Sequence, residues 1–218
     1  ALLSAGAGLD IQDQKGQSPL AIAVDKGDVA SVQILLSNGA RLDVRNEKGR
    51  TLLLHAIDKG YIAVVHALLA AGVDLNPKDK EDQNALLLAI DKGFTPIVQA
   101  LVAKGAKLNS QGKFGLTPLM MASLLGSSLI VQILLESEAD LHKKDQNGQN
   151  ALMWASAGDN TDIVKTLLAA GAKINERASK GITAVMIAAG RDAAETVEGP
   201  PGKPGEVSAR PQVPKHVT

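Results

Sequence analysis

The 218-residue chain predicts an all-α solenoid of stacked helix-turn-helix units with loop tips, and three observations carry that expectation. The first is a 33-residue grid: Gly16, Gly49, Gly115, Gly148 and Gly181 fall on one register, with Asp82 in its only non-glycine slot. The second is that two apolar columns share the grid, Leu20, Leu53, Leu86, Leu119, Leu152 and Val185, and Ala23, Ala56, Ala89, Ala122, Ala155 and Ala188. The third is composition. Aromatic residues are 2% against 45% hydrophobic residues, so the core must be built from Leu, Ile, Val and Ala, as helix-on-helix packing favours.

Each unit reads as a short helix, a glycine, a longer helix and a glycine-containing loop. In the second unit Thr51 can cap the helix LLLHAID, and Lys59 followed by Gly60 makes a favourable helix end, with Gly60 supplying a positive φ. The longer helix, IAVVHALLAAG, puts Val64, Val65, Leu68 and Leu69 on one face. One unit has too little core to offset its ordering entropy, so neighbours must stack their columns. The boundaries expected are 13–45, 46–78, 79–111, 112–144 and 145–177. A partial repeat at 178–192 loses the pattern after Ala189. Residues 2–12 align without gaps with 35–45 and the first residue is Ala, so residues 1–12 read as the end of a preceding repeat. Residues 193–218 are expected to be a disordered Pro/Gly-rich tail.

On these residues the chain resembles the ankyrin-repeat family. S-P-L-A-I-A at 18–23 and T-P-L-M-M-A at 117–122 are near the family's T-P-L-H-x-A, and G-A-R-L-D, G-V-D-L-N, G-A-K-L-N and G-A-K-I-N are similar to its G-A-D-V-N loop. The resemblance covers residues 2 to about 190. The histidine of the family motif is replaced by Ala21, Leu54, Leu87, Met120, Met153 or Met186, so its helix-start hydrogen bond is missing throughout. The resemblance implies a non-catalytic scaffold or adaptor whose protein partner docks on a concave face of loop tips and short helices, with the longer helices as the convex back. A cytoplasmic setting is also only what the resemblance suggests.

Chemistry is hard to find in the chain. There is no cysteine, which excludes disulfides, thiolate nucleophiles and cysteine metal sites. G-x-S-x-G and H-E-x-x-H are absent, and G-P-P-G-K in the tail lacks the spacing, hydroxyl residue and helix of a phosphate loop. His66 shares a polar column with Gln33, Gln99, Gln132 and Lys165. His55 aligns with Ile22, Leu88, Met121 and Trp154 and reads as a semi-buried helix position without the partners a metal needs, while His142 lies in a loop and His216 in the tail. No enzyme activity, cofactor, metal or small-molecule substrate is expected. Lys+Arg and Asp+Glu are both 23, and a net charge of zero with few aromatics argues against a nucleic-acid partner. No apolar run is long enough for a membrane span. Monomeric state is the expectation. Two P-x-x-P spacings, Pro201/Pro204 and Pro211/Pro214, are common in such tails.

The candidate partner site has two parts. Asp25-Lys26, Asp58-Lys59 and Asp91-Lys92 recur where the short helix ends; the helix dipole suffices to explain the lysines, and a charged ladder setting partner register is the functional alternative. Unit four places Leu124 and Leu125 in those slots, and Phe114 and Leu116 where other units carry Lys15/Gln17 or Asn147/Gln149. With Met121 and Trp154 nearby, these residues form either an exposed apolar patch on the groove or side chains folded inward beside Ser123 and Ser127 or covered by the tail. A rival to the scaffold reading is a regulatory or targeting segment of a larger enzyme or secreted effector.

Overall fold

The computed structural model describes residues 8–45 and 49–194, and for 191–194 the backbone alone. The expected disordered tail and its P-x-x-P spacings, and most of the expected preceding repeat, fall outside those residues.

Eleven helices build the described chain. Short helices α1 (Pro19–Asp25), α3 (Leu52–Asp58), α5 (Ala85–Asp91), α7 (Pro118–Leu124) and α9 (Ala151–Ala157) alternate with longer helices α2 (Val29–Ser37), α4 (Ile62–Ala70), α6 (Thr95–Ala103), α8 (Ser128–Glu136) and α10 (Thr161–Ala169), and α11 (Ala184–Ala194) closes the series. The short helices pack on one another in chain order, as do the longer ones, and the two of each unit pack together. The result is two parallel rows of helices with one continuous core between them. No sheet forms among the described residues; one isolated bridge joins Arg45 and Thr51.

Burial follows the sequence columns. Leu20, Leu53, Leu86, Leu119 and Leu152 are buried, as are Ala23, Ala56, Ala89, Ala122 and Ala155, and so are Val64, Val65, Leu68 and Leu69 of the second unit. The columns fail at the C-terminal end, where Val185 is 59% exposed and Ala188 is also exposed. There α11 runs on for eleven residues, two more than the longer helices of the other units and four more than the short ones. Among the described residues no outer helix follows α11, and its apolar column is exposed there.

Each short helix starts on a buried polar cap. Ser18, Thr51, Asn84, Thr117 and Asn150 accept from the N–H three residues on, at 3.0–3.3 Å. These caps satisfy one orphan donor per helix, so the helix starts remain tied without the missing family histidine. The helix-ending turn is as expected, with Lys59 as the C-cap and Gly60 at φ +71°.

The loop tips supply a second lattice. The backbone N–H of Arg41, Lys107 and Asp140 donates to Asp10, Asn76 and Asn109 of the preceding unit. Side chains of Arg45, Gln111 and Lys144 donate to the carbonyls of Lys78, Lys144 and Arg177, each 33 residues ahead. Neighbouring units are thus joined by polar contacts at the tips as well as by the core.

Leu101 on α6 is fully buried in the central unit. Leu101→Ala is expected to lower unfolding free energy by about 2–5 kcal/mol in urea titration followed by circular dichroism.

Candidate partner-binding groove

Two kinds of loop tip control what the groove presents. In three units an aspartate heads the turn: Asp13, Asp79 and Asp145 each accept from two backbone N–H groups, two and four residues on, at 2.8–3.0 Å. The second carboxylate oxygen of Asp79 faces Arg50 Nε at 3.3 Å, and that of Asp145 accepts from Trp154 Nε1 at 3.1 Å. Units four and six carry Gly112 and Ala178 at the same register and have no such acceptor. Their turns close instead through two successive left-handed residues, Phe114-Gly115 and Lys180-Gly181, in the manner of a type I′ turn.

Phe114 therefore sits at φ +61°, a region that bulky L-residues avoid, and 48% of its surface is exposed. Lys113 Nζ lies 5.0 Å from the ring centroid, close enough for a cation–π contact. The carbonyl of Phe114 accepts from Gln146 N, tying this tip to that of unit five.

The groove itself is plainest between the first two units, where a depression of about 710 Å³ is lined by Asp25, His55, Asp58 and Lys59 among others. Stepping these positions forward by 33 residues places Asp91 and Leu124 in the column of Asp25 and Asp58. It likewise places Lys92 and Leu125 with Lys26 and Lys59, and Met121 and Trp154 with His55. The residues singled out on the short helices thus occupy equivalent register positions from unit to unit. Exposed apolar side chains on the longer helices, Ile34, Ile62 and Leu129, are scattered singly.

The Asp-Lys repeats are not pairs within each dipeptide. Asp58 is held at 2.8 Å by Arg50 of its own unit and at 3.1 Å by Lys92 of the next, and Arg50 bridges on to the buried Asp79. Asp25 lies 2.9 Å from His55 Nε2. Lys26, Lys59 and Asp91 make no ion pair among the described residues. His55 is half-buried as expected but does have a carboxylate partner, supplied by the preceding unit, which the column comparison missed because it looked only along one column. Among the described residues no three His, Cys, Asp or Glu side chains gather as a metal set. His66 is exposed, and His142 approaches Glu176 at 3.3 Å.

Unit four divides its leucines. Ser123 is fully buried in the core column of Val24, Ile57 and Ile90, and Leu125 packs against the core together with Leu116, Met121 and Trp154, all half-buried. Leu124 is half-buried but is not among the side chains packed on the core cluster. Of the unit-four residues singled out in the sequence, Phe114 is the exposed one and Leu124 is half-buried.

An aligned row of short helices backed by a row of longer ones, with turns held by their own polar network, defines the class of helical repeat solenoids. A family model described as ankyrin repeats (3 copies) matches this chain over residues 1–79, 69–145 and 138–198, and the chain belongs to the ankyrin-repeat family. Ankyrin repeats are a protein–protein interaction module. Among solved structures, the chain is similar to the ankyrin repeat domain of Bcl-3, described as a unique member of the IkappaB protein family. The identity is 28% and the TM-score 0.77, covering 85% of this chain and 84% of that one. No curated protein matches the sequence. No helix among the described residues is long and apolar enough to cross a membrane.

The ion-pair network has a pH signature. Burial pushes the Asp58 carboxyl up, but the hydrogen bond from Lys92 and the charges of Arg50 and Lys92 outweigh it, so its pKa falls below the usual 3.8. Glu176 is likewise lowered against its burial by Asn150, His142 and Lys144. A depressed carboxylate contributes stability above its unfolded pKa and loses it as pH falls through the folded value. Asp58→Asn is expected to cost about 1 kcal/mol at pH 7 and to flatten the loss of stability below about pH 4, read by thermal melts across pH.

Proposed function

We propose that the chain is a non-catalytic scaffold that holds a protein partner on the groove formed by its short helices and loop tips, with unit four as the apolar anchor. The observation that carries this reading is the replacement of a charged column by leucine at Leu124, together with an exposed phenylalanine held in a left-handed turn at Phe114. A bulky residue in that conformation costs on the order of 1–2 kcal/mol that glycine would not. Such strain at an exposed aromatic fits a residue kept for contact rather than for stability. Leu116, Leu125, Met121 and Trp154 support the anchor from below. The charged positions Asp25, Lys26, Asp58, Lys59, Asp91 and Lys92 form the polar continuation of the same face.

Rigidity is the mechanism. Because the surface is built before the partner arrives, little ordering cost is added on association, and affinity follows from the anchor and from charge complementarity. The chain acts as a monomer in this reading, and the cytoplasmic setting is the one the family suggests.

Affinity capture with mass spectrometry, using the wild-type chain beside Leu124→Lys and Phe114→Gly, tests the reading. Both variants are expected to lose the captured partner at least tenfold. Phe114→Gly should melt at or above the wild-type temperature, because glycine relieves the left-handed strain. Unchanged capture by both folded variants would refute the groove.

A further inference from the structure

The depression between units one and two carries more positive than negative charge, and the negative charge is already engaged. Lys15, Arg45, Arg50 and Lys59 line it against Asp25 and Asp58. Asp58 is held by Arg50 and Lys92, and Asp25 by His55. Asp13, near Lys15, turns its Oδ1 to the N–H groups of Lys15 and Gln17. Among the described residues Arg45 bonds carbonyl oxygens, those of Gly49 and Lys78, and no carboxylate. Lys15 and Lys59 are exposed and make no ion pair among the described residues. Ala21, Val44 and Leu52 give the depression apolar stretches between these cations. A short anionic side chain on an apolar stem matches that mixture, whereas a second cation would meet uncompensated repulsion.

We infer that this end of the groove seats the Asp or Glu side chains of an extended partner peptide, whose apolar residue reaches Leu124 and Phe114 two units further on. The inference rests on the groove reading above and specifies the chemistry of its occupant. Spacing follows from geometry. Packed helices lie about 8–10 Å apart, so two units span about 16–20 Å, and an extended peptide covers that in about five residues. The partner segment therefore carries its acids and its apolar anchor about five positions apart.

A phage-displayed library of random twelve-residue peptides, panned on the full chain and on Lys15→Glu/Lys59→Glu, tests this. Both lysines are exposed and make no ion pair among the described residues, so the double variant should stay folded, with a small fall in melting temperature from the reversed charge at the C-terminus of α3. Wild-type selections are expected to be enriched in Asp and Glu about five positions from Leu, Ile or Phe. Synthetic copies should bind the double variant at least tenfold more weakly and lose affinity between 50 and 300 mM salt, concentrations of about the Debye-length range that screens exposed charges. Enriched peptides without acidic bias, or with binding indifferent to the charge reversal, overturn the inference. If such peptides still fail on Leu124→Lys, the groove reading stands without it. Acidic peptides lost on the double variant yet unaffected by Leu124→Lys uphold the charged seat and overturn the apolar anchor. No enrichment on the wild-type chain overturns both.

Discussion

A seven-residue helix and a nine-residue helix joined by a glycine turn have no means of burying a stripe such as Val64, Val65, Leu68 and Leu69 by themselves. The stripe disappears from water only when the same columns of the next unit lie against it. Every other feature depends on that requirement. It fixes the 33-residue register, because a unit of another length would slide leucine past alanine. It puts short helices in one row and longer helices in the other, and so creates one face whose residues are free to vary. Val185 and Ala188 are exposed where α11 has the columns but, among the described residues, no outer helix over them.

The register then gives the polar groups their work. Caps at Ser18, Thr51, Asn84, Thr117 and Asn150 are buried, and a buried oxygen there must accept a bond. Asp58 draws Lys92 from the following unit, and Asp25 draws His55. These contacts cross unit boundaries, so they hold the angle between units and with it the shape of the groove. Charge that is consumed in this way is unavailable to a partner, so in the proposed groove Lys15, Lys59 and Arg45, which meet no acid among the described residues, are left for recognition where Asp25 and Asp58 are not.

Most of the fold was legible in the sequence, because period, apolar columns and helix ends are properties of spacing. The site was legible in part. A column comparison finds Leu124 and Phe114, since both break a polar pattern. It cannot separate Leu124 from Leu125, because which of two adjacent helix residues packs inward depends on the small Ser123 beneath them and on the neighbouring unit. It also does not find the partners of Asp58: Lys59 is adjacent in the chain, yet Asp58 is held by Arg50 and Lys92. The strain at Phe114 was hidden for a similar reason. Its left-handed conformation follows from the loss of the turn-heading aspartate at Gly112, a consequence visible only when the hydrogen bonds of Asp79 and Asp145 are known.

Hydrogen–deuterium exchange on the full chain, with and without a peptide selected by it, measures the central claim most directly. Binding on the prebuilt groove predicts added protection at the tips and short helices of units one to four, α1, α3, α5 and α7, with exchange in α2, α4, α6 and α8 unchanged. Protection concentrated on the longer helices would contradict it.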